Sequence, residues 1–512
     1  MPSPATWIND STRAKSLAFV REQRVDVIVI GGGITGAGVA LDAASRGLSV
    51  ALLESHDLAS GTSRWSSKLV HGGLRYLAKG DVAVAWESAV ERARLMTVIA
   101  PHLARPIGFL VPGLRDGSRI EFALSAIGTL LADGLRRLTG LSGSILPRPR
   151  HVSARAAHAI APAIPAARMH GGVVYWDGQL EDDARLVLGV ARTAAGYGAH
   201  ILRDVSAVSA TANEVLAEDR RSGESLNLSA GVVINATGVW AAEIEPRLRV
   251  LPSRGTHLIV RSERLGHPAV AYTAAVPGHF GRFVFVLPQP DGLCYIGLTD
   301  VEDRVSDGRS PVAPEEDIRF LLAIVNASMN QPLHRDDVVG TFAGLRPLVS
   351  TAASSADVSR RHLVLDRPGR PITIVGGKLT TYRRMAEDAV DAAVGRLSSG
   401  GAVCRTQLLP LVGAATAAEL AALDAPARLV RRYGTEATAV ARLGAEHPEL
   451  AGPLCAGCAV TGEELLFGVL AEGATTVEDL LERRTRLAFV AEDAERARPR
   501  AERVLARARE LV

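Results

Sequence analysis

Residues 24–54 read RVDVIVIGGGITGAGVALDAASRGLSVALLE, and the order strand, glycine turn, helix, strand is written into that stretch. Val25 to Ile30 is a continuous apolar run rich in β-branched residues, as a strand buried on both faces requires. Gly31, Gly33 and Gly36 follow in G-x-G-x-x-G spacing, which supplies a tight turn, a close backbone approach to a pyrophosphate, and close helix–strand packing. The spacing predicts a helix from about Thr35 to Arg46, lined by the small residues Ala37, Val39, Ala40, Ala43 and Ala44 and ended by Gly47. Ser49 to Leu53 forms the next strand, with Glu54 at its end, placed to accept hydrogen bonds from a ribose. A glycine turn alone is common; the turn with strand, helix, second strand and terminal acid at the right distances implies a bound dinucleotide. The acid at the strand end favours FAD or NAD over NADP.

The chain has 512 residues, enough for two or three domains. Its formal charge of +3 argues against broad nucleic-acid binding. Four cysteines, Cys294, Cys404, Cys455 and Cys458, are too few for a disulfide framework in a chain this size. Cys455 and Cys458 form a C-x-x-C that lacks a second pair or well-placed histidines, so no metal site is expected. The amino end lacks an apolar core of signal-peptide length, and no run approaches the ~20 apolar residues of a membrane span. The expectation is a cytoplasmic protein, or one attached to a membrane only at its surface.

After Glu54 comes a loop dense in Ser, Thr and Gly, in which Ser60, Thr62, Ser63, Ser66 and Ser67 suit phosphate and ribitol contacts. It runs into His71-Gly72-Gly73-Leu74-Arg75-Tyr76, where the glycines would let backbone pass close to a flat ring and His71 would touch it. Asp81 to Ala100 reads as a helix ended by Pro101. From about Pro106 to Met169 the texture changes, as in an inserted domain; within it Leu124, Ile127, Leu131, Leu135 and Leu138 recur at helical spacing beside Arg136 and Arg137. Such a stripe ordinarily packs on its own protein, with a membrane-surface role as the lesser reading. Gly172 to Trp176 is strand-like, Leu180 to Gly196 helical, and His200 to Val208 a strand whose backbone, Val205 included, would border the adenine. Val232 to Ile234 runs into Ala236-Thr237-Gly238, small residues suited to passage beside a cofactor. Short strands then follow from Pro252 to about Arg346, including Phe283 to Leu287 and Tyr295 to Leu298.

A second strand–glycine–helix corner lies at Ile372 to Val375, Gly376-Gly377, Lys378-Leu379-Thr380-Thr381, with either threonine a plausible helix cap. One glycine corner can hold a pyrophosphate while the other faces the far end of the same ligand. Flavin reduction places negative charge near N1 and the C2 oxygen, which a helix N-terminus and Lys378 would stabilise; nicotinamide has no such need, so FAD is the expected cofactor.

The segments VIGGGITGAGVALDAASRG, SSKLVHGGLRYL, INATGVWA, RGTHLIV, IGLTD, AGLRPL and GGKLTTYRRMAEDA resemble, in order, the FAD-dependent glycerol-3-phosphate dehydrogenase family from about residue 24 to 396. The helical tail from Cys404, with RLVRRYG and VEDLLERRTRLAF, is similar to that family's C-terminal domain. The resemblance implies a Rossmann-like α/β FAD-binding domain with a mainly β substrate layer, akin to D-amino-acid oxidase, plus a C-terminal α-helical domain. The expected boundaries are 24–105, 172–250 and 346–400 for the discontinuous FAD-binding domain, 106–171 and 251–345 for the substrate domain, and 404–512 for the helical one. It further implies oxidation of sn-glycerol 3-phosphate to dihydroxyacetone phosphate, with electrons passed to a membrane quinone; a homo-oligomer is left open.

A phosphate dianion needs fixed cations and planar donors, and the matched positions are Arg75 with Tyr76, Arg346, Lys378 and, beside it, Thr381. Cofactor contacts are expected from Gly31, Gly33, Gly36, Glu54, Ser60, Thr62, Ser63, Ser66, Ser67, His71, Gly72, Gly73, Val205, Ala236, Gly238, Gly377, Lys378, Leu379 and Thr380. His257 is the candidate base, since imidazole titrates near the working pH; Arg346 would fix and polarise the hydroxyl or developing carbonyl oxygen, and could contest the role of base. The competing readings are an oxidase of the same fold that passes electrons to oxygen, a non-catalytic flavin-binding redox sensor, and an amine oxidase. The clustered cations weigh against the last two.

Overall fold

The computed structural model describes residues 3–73, 81–279, 281–303, 307–349, 361–398 and 401–511. Arg75 and Tyr76 lie outside the described residues. Val25–Ile30 sits inside an eight-stranded sheet in the order His362–Leu365, Ile372–Gly376, Glu224–Asn235, Val25–Ile30, Val50–Glu54, His200–Arg203. The pairings around Val25–Ile30 are parallel, with Val27 level with both Val232 and Val50. Such strands are covered on both faces, which is why their sequences read as unbroken apolar runs. On one face the helices Ile34–Ser45, Asp183–Gly196 and Tyr382–Arg396 pack together. Their contact needs small residues: a Cβ on Gly38 would stand 2.9 Å from the Tyr382 ring.

A second, ten-stranded sheet is mostly antiparallel and includes Ala104–Leu114, Met169–Leu180, Val250–Arg261, Leu293–Gly297 and Val338–Val349. The strand Val250–Arg261 carries His257, and Val338–Val349 carries Arg346 opposite Ser253. The carboxyl-terminal helices Ala427–Tyr433, Ala437–Glu446, Gly462–Leu470 and Ala491–Leu511 share their own apolar core. The architecture is α/β, with one sheet centred on parallel strands, a second mostly antiparallel sheet, and a C-terminal helical domain.

Several element boundaries differ from the sequence reading for local reasons. The helix expected from Leu180 begins at Asp183, because the Asp182 carboxylate accepts the Ala184 and Arg185 N–H groups and caps it. The single strand expected over His200 to Val208 is two, broken at Asp204, whose φ of 58° leaves the extended region. The helix after Asp81 is α-helical over Val82–Arg94 and closes in a π turn, Leu95–Ile99. Thr381 does not cap the helix that follows it with its side chain; its hydroxyl donates instead to the Lys378 carbonyl at 3.4 Å.

The larger correction concerns the stripe in 124–138. It lies on the helix Arg119–Leu138, whose buried residues are the polar Thr129, Asp133 and Arg136. Its exposed residues include Ile120, Leu124, Ile127, Leu130, Leu131 and Leu138. The apolar face therefore does not pack on its own protein.

Candidate active site

The strand Val25–Ile30 delivers the chain to Gly31, which turns at φ 109°; a Cβ there would lie 2.7 Å from the Ala236 carbonyl oxygen. A Cβ on Gly36 would lie 1.8 Å from the Gly31 oxygen, so the helix starts in contact with the turn beneath it. The helix Ile34–Ser45 has Gly33 as its N-cap and no side-chain cap from that residue. Ser63 Oγ accepts the Ile34 N–H at 2.9 Å, and Ile34 and Thr35 stand at the wall of the cavity. Glu54, buried, accepts the Gly32 N–H at 2.6 Å and the His56 N–H at 2.9 Å. Burial pushes its carboxyl above the usual range, opposed by those N–H groups.

Gly31, Gly33, Ile34, Thr35, Glu54 and Ser63 border one cavity of about 1380 Å³, larger than the ~300–1,000 Å³ of ordinary small-molecule sites. Val205, Ala236, Gly238 and the second glycine corner, Gly376 to Thr380, border the same space. Gly376 and Gly377 are both left-handed (φ 81° and 71°), and a Cβ on Gly377 would meet the Met385 sulfur at 2.4 Å. Two glycine corners on one elongated cavity, one opening a helix without a side-chain cap from its N-cap glycine, fit an extended dinucleotide such as FAD.

The hydroxyls expected on phosphate and ribitol all have protein partners. Ser60 reaches Glu54 at 3.3 Å, Thr62 donates to the Leu345 carbonyl at 2.6 Å, and Ser63 accepts from Ile34. Ser66 binds Asp183 through both its N–H and its hydroxyl, and Ser67 lies 2.8 Å from His257 Nε2. His71 borders the cavity, whereas Gly36, Gly72, Gly73 and Thr381 do not; Gly36 serves the site by letting the helix pack on Gly31. The space beside Gly72 holds the Arg92 guanidinium, 2.3 Å from where its Cβ would stand, and its N–H binds Asp177. Gly72 therefore admits an arginine rather than a flat ring.

At the chemical end, Arg346 borders the cavity and reaches Asp300 at 3.2 Å and Ser253 Oγ at 3.4 Å. Lys378 also borders it, with its ammonium on Ser88 Oγ of the helix Val82–Arg94. His257 is 1% exposed and stacks on Phe342, with ring centroids 4.5 Å apart. Burial, then Lys68 and Arg346, hold its pKa well below the ordinary histidine value, so the expectation of a group titrating near the working pH is corrected. The ring stays neutral through the physiological range. The sequence reading passed over Asp300, although it stands in the quoted IGLTD segment, and the pairing of Ser67 with His257. It also missed the carboxyl-terminal grip on the loop after Glu54, where Asp57 is held by Arg483 and Arg484, each at 2.7 Å.

A stability prediction follows from the buried histidines. His102 is pushed down to about 3, mainly by burial and then by Arg185, and His257 is lowered as well. An unfolded histidine binds its proton near pH 6.5, so below that value the unfolded chain carries more protons and acid favours unfolding. Stability is full above pH 6.5 and lost as the pH falls below it. His102 alone contributes a loss of about 1.4 kcal/mol by pH 5.5. Thermal unfolding should therefore shift down between pH 7.5 and 5.5; an unchanged or rising Tm would contradict the buried neutral histidines.

The FAD dependent oxidoreductase family matches residues 26–383, and the C-terminal domain of alpha-glycerophosphate oxidase matches residues 404–510. The chain is 48% identical over 509 residues to "Glycerol-3-phosphate dehydrogenase 1" of Mycobacterium tuberculosis, covering 97% of this chain and 98% of that protein. It is 33% identical over 544 residues to the mitochondrial glycerol-3-phosphate dehydrogenase of Bos taurus, covering 96% and 71%. Among solved structures it is similar to the glycerol-3-phosphate dehydrogenase from Bacillus halodurans complexed with FAD, with a TM-score of 0.70, 28% identity and coverage of 97% and 96%. The L-alpha-glycerophosphate oxidase from Mycoplasma pneumoniae, at TM-score 0.55 and 17% identity, covering 72% and 95%, shares the fold.

Proposed function

The chain belongs to the FAD-dependent glycerol-3-phosphate dehydrogenase family, and from that premise we propose that it oxidises sn-glycerol 3-phosphate to dihydroxyacetone phosphate and delivers the electrons to a quinone at a membrane surface. FAD, which the two glycine corners would hold, would supply the two-electron acceptor for this oxidation. Arg346 offers the planar donors that a phosphate or a developing carbonyl oxygen requires, with Asp300 and Ser253 fixing its orientation. Gly377, Lys378, Leu379 and Thr380, at the cavity wall, would hold the flavin end of FAD and offer backbone and positive charge to it. His257, neutral in the resting site, takes the hydroxyl proton. A bound dianion adds negative charge beside the cations that depress it, and so strengthens it as a base when substrate is present.

The quinone reading is carried by the helix Arg119–Leu138, which is inside out. Ile120 is 73% exposed, Leu130 63% and Leu138 72%, while Thr129, Asp133 and Arg136 face the protein. Turning an apolar face outward costs free energy in water and is favourable against lipid. The same helix borders the cavity through Leu124, Ile127 and Leu131, so an apolar acceptor entering from the membrane meets apolar side chains at the cavity wall. Among the described residues no helix is long and apolar enough to cross a membrane, which agrees with attachment at the surface.

The test replaces Ile120, Leu130 and Leu138, none of which borders the cavity, with glutamate. We expect loss of binding to anionic phospholipid vesicles and at least a tenfold fall in reduction of a membrane-dissolved quinone. Turnover with a water-soluble acceptor should stay unchanged. Full quinone activity in that variant would remove the membrane-surface reading, and stoichiometric hydrogen peroxide with product would replace quinone by oxygen.

A further inference from the structure

We infer that Ser67 is a catalytic residue whose hydroxyl relays the substrate's C2–OH proton to His257, an inference that rests on His257 being the base. His257 is walled in. Phe342 stacks on one face of its ring at an interplanar angle of 11°, and Gly297 closes on it so tightly that a Cβ there would lie 2.3 Å from Cδ2. Its Nδ1 is buried without a hydrogen-bond partner among the described residues. Its Nε2 is 2.8 Å from Ser67 Oγ, and Ser67 is the more open of the two, half-buried at the cavity wall. A proton arriving from the cavity reaches the ring through that hydroxyl.

The neighbours of Ser67 are anchored around it. Ser66 gives Asp183 its N–H at 3.0 Å and its hydroxyl at 2.7 Å; the Lys68 ammonium reaches the same carboxylate at 2.9 Å, and the Lys68 carbonyl accepts the Leu180 N–H at 2.7 Å. The backbone on both sides of Ser67 is thus fixed, while its own side chain points to the imidazole. Preorganised donors of this kind are what a proton transfer needs, since no reorganisation is left for the moment of reaction.

The step balances. The substrate O–H bond breaks and its proton bonds to Ser67 Oγ, while the Ser67 O–H bond breaks and its proton bonds to His257 Nε2. The C2 hydrogen would leave as hydride, with its electron pair, to the FAD that the site would hold, while the pair left on oxygen by the broken O–H bond closes the carbonyl. Serine is regenerated and one proton rests on the imidazole. For this the neutral ring carries its hydrogen on Nδ1 and presents a bare Nε2 to the serine.

The test is anaerobic stopped-flow reduction of the holoenzyme by glycerol 3-phosphate in mixtures of H2O and D2O. Ser67→Ala should reduce its flavin about 10²-fold more slowly, with FAD content and apparent substrate affinity within twofold of the parent. Ser67→Thr, which keeps the hydroxyl, should recover most of the rate. The parent enzyme should give a curved proton inventory, with two protons in motion. A Ser67→Ala variant at the parental rate would overturn the relay, as would a linear inventory in the parent, which would leave Ser67 only holding the ring. His257→Asn separates the two claims. If it reduces at the parental rate, the base lies elsewhere and the reading beneath the relay fails; if it is slow while Ser67→Ala is not, only the relay fails.

Discussion

Arg346→Ala should lower kcat/KM for glycerol 3-phosphate by about 10²–10³-fold, the equivalent of about 3–4 kcal/mol of transition-state binding, while flavin content stays at the parental level. The guanidinium lies in the cavity where a side chain on Gly255 would otherwise be, 2.2 Å from that Cβ position. It is oriented by Asp300 and Ser253, which belong to the antiparallel sheet and its connections and not to either glycine corner. Its loss removes planar donors from a small dianion without disturbing the dinucleotide. Asp300 keeps its bond from Ser253, so the variant does not strand an unpaired carboxylate. Arg346→Lys should recover only part of the activity, because a point charge replaces a fork. Steady-state kinetics beside a flavin absorbance ratio decide the matter, and normal kinetics would take Arg346 out of the site.

Gly36→Val should yield protein without FAD. Even the first carbon of a side chain there would stand 1.8 Å from the Gly31 carbonyl oxygen and 3.0 Å from its carbon. Gly31 cannot retreat, since its own Cβ position is 2.7 Å from the Ala236 oxygen and its φ is 109°. The clash is between main chains, and no rotamer relieves it. The helix must lift off the turn, and its first-turn N–H groups would move away from where they could meet a pyrophosphate. Less than a tenth of the parental flavin should co-purify. Gly134→Ala is the control: nothing lies within 4 Å of a Cβ there, and FAD should remain. Parental flavin content in Gly36→Val would contradict the close approach on which the cofactor site depends.

The parts of the site that were legible in the sequence are those fixed by neighbours in the chain. The turn at Gly31 to Gly36 and the acid at Glu54 follow from local backbone chemistry, and the Gly376-Gly377 corner does too. Where distant segments decide, reading along the chain fell short. Periodicity revealed a stripe in the helix Arg119–Leu138 but carries no sign for inside and outside; Thr129, Asp133 and Arg136 can be the buried side because they satisfy one another locally, Thr129 on the Ala126 carbonyl and Arg136 on Asp133 and the Leu141 carbonyl. Gly72 looked like room for a ring, but Arg92 arrives from another helix to fill it. His257 looked like an ordinary imidazole, and only the fold brings Lys68, Arg346 and the Phe342 ring to it. The hydroxyls after Glu54 looked like ligand donors, yet Asp183 and the Leu345 carbonyl take two of them.

The most direct test of the whole account is anaerobic addition of glycerol 3-phosphate to the purified holoenzyme, followed at the flavin absorbance near ~450 nm. The account predicts complete bleaching by glycerol 3-phosphate and none by glycerol, which lacks the phosphate, or by glycine, an amine substrate. An absorbance unmoved by glycerol 3-phosphate, or bleached equally by glycine, would contradict it.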